Sequence, residues 1–175
     1  MKVCSLVCLL ILCFTTAVLR AEEPANFEVG AFSFKRPAAW GWVPASGMRK
    51  AQLSVPGKDR PADITFFHFG SGGMDDVTGN VQRWYRQFQG AAETQKTEEQ
   101  TIGNTKVVFV SAEGTFNGAM PGQAAAPMEN YALQGAILQH AGGNVFVKMT
   151  GPKELIQSTR QQFMDFVAEA AKAAQ

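Results

Sequence analysis

The positions of its cysteines constrain this chain more than any other feature of its sequence. All three lie near the N-terminus, at Cys4, Cys8 and Cys13. They fall inside an apolar run from Val3 to Val18, which follows Lys2 and is closed by the small residue Ala21. This order of charge, apolar run and small residue is the layout of a secretory signal. The run of about 16 residues is shorter than the ~20 needed to span a bilayer, so we expect residues 1–21 to be a cleaved signal peptide.

The chain that remains after such cleavage has no cysteine. It can form no disulfide, use no thiolate nucleophile and hold no metal through sulfur. An exported domain of this kind depends on its hydrophobic core for stability. The 154 residues from Glu22 to Gln175 suffice for one such core, whereas two independent cores would be cramped. We therefore predict a single domain over residues 22–175.

The charge pattern argues against two classes of partner. The full chain carries 16 Lys and Arg against 15 Asp and Glu, for a net charge of +1. Loss of Lys2 and Arg20 with the signal would bring this to about −1. The basic residues are scattered, and no run of them resembles a footprint on a phosphate backbone. We therefore expect neither nucleic acid nor an anionic membrane surface as a partner.

The alternation of apolar and polar residues indicates six strands. Arg49–Val55 alternates strictly, as a half-exposed strand does, whereas Ala62–Phe69 is apolar on both faces, as a central strand is. In Phe27–Phe34 the apolar positions change face across Gly30, which predicts a bulge or a tight bend. The other predicted strands are Lys106–Ala112, Tyr131–Gln139 and Val145–Thr150.

Two further segments have helical periodicity. One apolar stripe runs through Asp75–Gln89, and a second predicted helix begins at Pro152, because proline is tolerated in a first turn. Pro37–Pro44 is predicted as a connection, since proline at each end disfavours a regular strand. Asn117–Asn130 is rich in Gly, Ala and Pro and is predicted as a long surface loop. Glu93–Gln100 is polar and charged and is assigned to neither class.

These elements predict an α/β fold of the α+β type. Their order is three strands, a helix, three strands and a helix (βββ-α-βββ-α). Short links between successive strands favour antiparallel pairing. Two amphipathic helices need an apolar surface on which to bury their stripes, so we expect an antiparallel sheet of about six strands sandwiched by the helices.

Together with this order of elements, an F-x-F-x-x-P-x-x-W pattern at the start of the domain points to a known family. The pattern is formed by Phe32, Phe34, Pro37 and Trp40. On both grounds the chain resembles the PsbP-like superfamily, which includes the extrinsic protein of photosystem II and a Ran-binding regulator of nuclear import. The resemblance covers nearly all of residues 22–175 and implies an α/β/α sandwich with accessory, non-catalytic binding roles. No functional residue of that family can be carried over to a position in this sequence.

The small number of histidines limits the kinds of enzyme that this chain could be. The chain has two histidines, His68 and His140, and no serine lies in a G-x-S-x-G pattern. Histidines so far apart in the sequence make a poor metal site, so we predict neither a metal nor a cofactor. His68 on a central strand is more typical of a core or pocket residue than of a catalytic base. A hydrolase would need His68 in a cleft with a carboxylate partner such as Asp63 or Asp76.

Aromatic and arginine side chains supply the candidates for a binding surface. Such residues are enriched at binding hot spots, although they also serve in cores. The candidate binding residues are Trp42, Arg49, His68, Arg83 and Trp84, with the Asn117–Asn130 segment beside them. A ligand carrier would instead use a gap between sheet and helix lined by Phe66, His68 and Trp84, which predicts a sizeable apolar pocket.

Taken together, the sequence predicts an exported, non-catalytic binding or accessory module, periplasmic or secreted. We expect a monomer that binds a protein or a small molecule. Two alternatives remain open at this point. One is a small envelope hydrolase that uses His68, and the other is a structural subunit of an envelope complex whose Asn117–Asn130 segment orders on binding.

Overall fold

The computed structural model describes residues 23–72, 75–89, 94–118 and 126–174 of the protein. The predicted signal peptide lies outside these ranges, as do residues 119–125 of the predicted loop. The described residues form ten strands and two helices. In chain order these are β1 (Asn26–Val29), β2 (Phe32–Lys35), β3 (Gly41–Val43), β4 (Ala51–Val55), β5 (Ala62–His68), α1 (Val77–Tyr85), β6 (Phe88–Gln89), β7 (Lys96–Ile102), β8 (Thr105–Phe116), β9 (Met128–Leu138), β10 (Val145–Pro152) and α2 (Lys153–Ala173).

Eight of the strands form one antiparallel sheet. Its order is β3-β4-β5-β10-β9-β8, and β6 and β7 both pair with β8 along that strand's outer edge. The strands β1 and β2 form a separate hairpin. The protein is therefore a mixed α+β fold with two helices and a large antiparallel sheet, as the sequence predicts in outline.

The hairpin and α2 cover one face of the sheet, which we call the α2 face. Strand β4 shows why: Ala51, Leu53 and Val55 point into this core, while the residues between them are half-buried on the other side. Phe66 at the centre of β5 is fully buried here, and its ring lies 5.1 Å from Phe34 of the hairpin. This core ties the hairpin, the sheet and α2 together.

Helix α1 packs on the opposite face, which we call the α1 face. Its first turn is fixed by Asp76, whose carboxylate accepts a hydrogen bond from the backbone N–H of Gly79 at 2.6 Å. Trp84 then lies over Gly135 of β9, where a β-carbon would come within 2.2 Å of the indole Cζ3. A glycine in mid-strand thus makes the room that the largest side chain of the helix needs.

The predicted strand number and order are wrong in detail. The large sheet has eight strands rather than about six, and the observed order is five strands, a helix, five strands and a helix. The predicted strand Phe27–Phe34 is two strands, because Gly30 has a φ of +57° and reverses the chain in a two-residue hairpin turn. The apolar positions change parity in the sequence because the chain turns back, and the register pairs Phe27 with Phe34 and Val29 with Phe32 on one face of the hairpin.

Two polar or proline-rich segments also form strands. Gly41–Val43, inside the connection predicted between Pro37 and Pro44, pairs with β4 at the edge of the sheet. Lys96–Ile102 forms β7, although six of its seven side chains are exposed. An edge strand needs only one partner and tolerates charge on both sides, so neither segment carries the apolar alternation that marks a covered strand.

Candidate functional site

The two predicted tryptophans lie apart. Trp84 is buried in the apolar cluster between α1 and the sheet, and serves as part of that core. Trp42 is half-buried on edge strand β3, with its ring 5.2 Å from Phe27 in an edge-on contact. These two residues therefore do not share a surface, and Trp84 is a packing residue.

His68 lies on the α2 face of the sheet, under the turn of the β1–β2 hairpin. Its Nδ1 is 3.2 Å from the carbonyl oxygen of Asn144. A β-carbon at Gly30 would come within 3.0 Å of the same nitrogen. Phe66 shares this face, but Trp84 lies on the opposite one, so the apolar pocket predicted between these three residues is not formed.

Neither predicted carboxylate partner reaches His68. Asp63 is five residues away on the same strand, which is about 16 Å along β5, and this odd spacing turns its side chain to the opposite face. Asp76 is occupied as the N-cap of α1. The geometry thus gives His68 no acid–base pair with either residue.

The two predicted arginines both donate hydrogen bonds to residues three positions earlier in the chain. Arg83 is exposed on α1 and donates from Nη1 to the amide oxygen of Asn80 at 2.6 Å. Arg49 is half-buried just before β4 and donates from Nη1 to the hydroxyl of Ser46 at 3.3 Å. The positive charge of Arg49 contributes to lowering the pKa of Lys148.

A patch of polar side chains covers the part of the α1 face that lies beside the helix. The strand register places Gln52, Thr65 and Lys148 in one row across β4, β5 and β10, and Ser54, Asp63 and Thr150 in the next row. We call these six residues the polar half-face. Asp63 is exposed, Thr65 is buried, and the other four are half-buried. A sheet surface exposed in this way is normally polar, but it rarely contains a half-buried lysine in mid-sheet.

Lys148 is the unusual member of this surface. It stands in the middle of the large sheet, and its Nζ donates to the side-chain oxygen of Gln87, just after α1, at 3.2 Å. Desolvation by the surrounding protein, together with the nearby charge of Arg49, lowers the pKa of Lys148 to about 8. Among the described residues, no carboxylate forms an ion pair with this amine.

Replacing Lys148 with methionine is expected to stabilise the fold at pH 7 by about 2 kcal/mol, the cost of the desolvated charge less the lost hydrogen bond to Gln87. The unfolded chain holds the proton up to a pKa of about 10.4. Between pH 8 and 10.5 the unfolded state therefore binds more protons, and the wild-type protein gains stability as pH rises. The advantage of Lys148→Met should be full below pH 8 and vanish towards pH 10.5.

Urea unfolding of both proteins across that pH range measures the difference between them. Lys58→Met, a substitution in the exposed turn between β4 and β5, is the matched control and should show no such pH dependence. Equal stability of Lys148→Met and wild type at pH 7 would mean that the amine is fully solvated in the folded protein, and would contradict its desolvation.

A second polar cluster lies on the α2 face at the end of β8. Glu113 accepts from Lys153 Nζ at 2.7 Å and from Gln157 Nε2 at 2.9 Å, with Arg160 Nη2 at 3.8 Å. The hydrogen bond from Lys153 is the main reason that the pKa of Glu113 lies below its usual range, although desolvation works in the other direction. This cluster ties the first turns of α2 to the sheet, and all its charges are paired.

Replacing Glu113 with glutamine is expected to destabilise the protein by about 1 kcal/mol at pH 7, because two cations lose their partner. A carboxylate with a lowered pKa stabilises the fold above its unfolded pKa and loses that effect as pH falls through its folded pKa. The difference between wild type and variant should therefore shrink in acid. Thermal unfolding at pH 7 and pH 3 tests this, with the exposed neighbour Glu154→Gln as control. A difference that persists unchanged at pH 3 would contradict it.

Two open cavities lie near the start of β9. One, of about 310 Å³, borders the Glu113 cluster, and the other, of about 470 Å³, is bounded by Arg60, Met128 and Tyr131. Both are bordered by residues 129–130, which follow shortly after the segment 119–125 that lies outside the described ranges. Within the described part of the chain, no three His, Cys, Asp or Glu side chains lie together as they would around a metal ion. None of the described helices is both long and apolar enough to cross a membrane.

Comparison with known proteins adds little. Neither a family model nor a curated protein matches this chain. Among solved structures, it is similar to a protein of unknown function from Pseudomonas aeruginosa, described as a candidate regulator. The identity is 12%, the match covers 84% of this chain and 95% of that one, and the TM-score is 0.40. A likeness at this level carries no argument about fold or function, so the resemblance to the PsbP-like superfamily stays a prediction.

Sequence reasoning found Arg49 but missed Lys148 and Glu113. Lys148 occurs in a strand, VFVKMT, whose neighbours are apolar or small, and a single lysine in such a run marks a charge in a covered sheet. That signal is present in the sequence. No comparable signal marks Glu113 in the sequence, because its partners come from α2, about 40 residues later in the chain.

Proposed function

We propose that this chain is an exported, non-catalytic binding module that contacts its partner through the polar half-face. The observation that carries the proposal is Lys148, a half-buried amine on an inner strand of the sheet whose hydrogen-bond partner in the described structure is the neutral side chain of Gln87. Such a group costs folding free energy in the isolated domain. Residues that lower stability in this way are typical of functional surfaces, where a ligand offsets the cost.

The shape of the surface favours a macromolecular partner over a small molecule. Small ligands are usually held in concave, mostly apolar sites. The polar half-face is a sheet surface of hydroxyl, amide and charged side chains, with Gln52 donating to Asp63 at 3.3 Å. Side chains of this kind, presented by rigid strands, suit the contacts of a protein interface.

The position of His68 also supports a non-catalytic role. The hydrolase alternative needs a carboxylate beside this histidine, and Asp63 and Asp76 are both engaged elsewhere. The signal-like N-terminus supports export, and the resemblance to the PsbP-like superfamily implies accessory binding. The structural-subunit alternative differs from the proposal only in how permanent the contact is.

Site-specific photo-crosslinking in the producing cells tests the proposal. A benzoylphenylalanine at Ser54, in the polar half-face, should give a discrete protein adduct on irradiation. The same group at Gln162, exposed on α2 on the other side of the molecule, is the matched control and should give none. An adduct with nearly all of the protein would favour the structural subunit. Folded protein with no adduct from Ser54, or equal adducts from both positions, would contradict the proposal.

A further inference from the structure

A buried glutamine lies among mainly apolar side chains on the α2 face of the sheet. Gln134 of β9 is 3% exposed. The strand register places it between Ser111 of β8 and Met149 of β10. Two buried alanines, Ala132 and Ala136, flank it on the same face of its own strand. Among the described residues, nothing forms a hydrogen bond with its side-chain oxygen. A buried amide oxygen loses its hydrogen bonds to solvent on folding and needs a replacement.

A second buried polar atom belongs to the helix that packs on this face. Arg160 of α2 is half-buried, and its Nε atom is inaccessible to bulk solvent. This nitrogen is a hydrogen-bond donor, and the described part of the chain supplies no acceptor for it. The other end of the guanidinium is occupied, since Nη2 lies 3.8 Å from Glu113. The contact between α2 and the sheet therefore contains one unpaired donor and one unpaired acceptor.

Gln134 and Arg160 border the same small cavity between α2 and the sheet. Its volume is about 40 Å³, and Ser111, Phe109 and Met164 also line it. A cavity of this volume is only a few ångströms across, so side chains on its opposite walls can contact one bound molecule. The unpaired donor from the helix and the unpaired acceptor from the sheet thus lie around one enclosed space.

The volume of this cavity determines the size of what it can hold. A cavity needs roughly 10–15 Å³ to hold a water molecule, whereas sites for small organic ligands usually measure about 300–1,000 Å³. At about 40 Å³, this cavity has room for one water, or at most a few. It is too small for a metabolite or for a side chain of a partner protein.

The charges around the cavity favour a neutral occupant over an ion. Lys96 Nζ lies 2.7 Å from Glu98 Oε1, and Arg160 lies near Glu113, so each cation that borders the cavity has a carboxylate beside it. A chloride would meet the carboxylate of Glu98, and a metal cation would meet the guanidinium of Arg160. Water can donate to one wall and accept from the other, so it fits either orientation of the Gln134 amide.

We propose that this cavity is a binding site for a water molecule that accepts a hydrogen bond from Arg160 Nε and donates one to Gln134 Oε1. Buried waters typically make about three hydrogen bonds, and the hydroxyl of Ser111 borders the same cavity as a third partner. The water joins α2 to β8 and β9, and gives a reason for a glutamine in an apolar row. The site lies on the α2 face, opposite the polar half-face, so it is independent of the proposed function.

Two measurements test this site. A high-resolution crystal structure should show one peak of electron density within hydrogen-bond distance of both Gln134 and Arg160. Magnetic relaxation dispersion counts water molecules held inside a protein in solution, and should find one fewer in Gln134→Met than in wild type. Gln162→Met, the same substitution at an exposed position of α2, is the matched control and should keep the full number. Gln134→Glu retains an acceptor and should keep it as well.

Three results would overturn the proposal. One is a direct hydrogen bond between Gln134 and Arg160 with no density between them. Another is an anomalous peak at the site in crystals soaked in bromide, which would assign it to a halide ion. The third is an unchanged number of long-lived waters in Gln134→Met. The first two are decided by crystals of the wild type, so the test does not depend on the folding of any variant.

Discussion

Replacement of Phe66 by alanine is expected to destabilise the protein by about 4 kcal/mol, a large fraction of the stability of a domain of this size. The ring is fully buried and contacts three other rings, at centroid distances of 5.1 Å to Phe34, 5.2 Å to Phe27 and 6.2 Å to Phe166. These rings come from both strands of the hairpin and from α2. Removal of Phe66 therefore leaves a cavity where three separate elements meet the sheet.

Urea unfolding of Phe66→Ala and Phe66→Leu measures the effect. The leucine variant keeps most of the apolar volume and should lose about 1 kcal/mol. Substitution of the neighbouring Phe67, half-buried on the other face of the same strand, is the matched comparison and should cost clearly less. A loss below about 1 kcal/mol for Phe66→Ala would show that the hairpin and α2 do not meet the sheet at this point.

Replacement of Gly135 by alanine is expected to cost about 3 kcal/mol, although one methyl group is all that is added. The new β-carbon would lie 2.2 Å from Cζ3 and 2.8 Å from Cε3 of Trp84. The ring cannot retreat easily, because it belongs to the apolar cluster between α1 and the sheet. The whole helix would have to move away from β9.

A second substitution identifies the cause of this loss. Trp84→Leu alone should destabilise the protein, since it removes a large buried ring. Combined with Gly135→Ala it should cost much less than the sum of the two, because the smaller side chain leaves space for the methyl group. Strict additivity in thermal or urea unfolding would rule out the contact between Trp84 and Gly135 as the source of the effect.

The parts of the fold that sequence reasoning predicted well are the mainly apolar inner strands and the helices with one clear apolar stripe. Ala62–Phe69 and Val145–Thr150 are inner strands with a neighbour on each edge, and both are present as β5 and β10 with ends within two residues of the prediction. Apolar side chains must alternate or run continuously in such positions, so the sequence pattern carries the structure. The second helix, after Pro152, was predictable for the same reason.

The parts that were missed are strands whose stability comes from a neighbour. Strand β7, with the sequence KTEEQTI, is held by its hydrogen bonds to β8 and not by burial of its own side chains. Strand β3 has three residues and depends on β4 in the same way. Pairing of this kind is a property of the assembled sheet, and no local pattern of hydrophobicity encodes it.

The candidate site was predictable only in part, for a related reason. Arg49 was identified from its residue type, but the row of Gln52, Thr65 and Lys148 arises because β4, β5 and β10 are neighbours in the sheet although about 80 residues separate β5 from β10 in the chain. Trp84 and His68 were wrongly grouped, since the strand-to-helix packing that puts them on opposite faces cannot be read from the sequence. The chemistry of individual residues could be predicted from the sequence. Identifying the residues that share a face of the sheet required the strand order and the placement of the helices.

Native mass spectrometry of the protein purified gently from its producing cells tests most directly the claim that the polar half-face binds a partner. Wild type is compared with Ser54→Trp, which adds bulk to that surface, and with Gln162→Trp on the far side of the molecule. We predict a discrete additional protein mass on wild type and on Gln162→Trp, and its loss from Ser54→Trp. A bare chain in all three samples, or the same complex retained by Ser54→Trp, would contradict the claim.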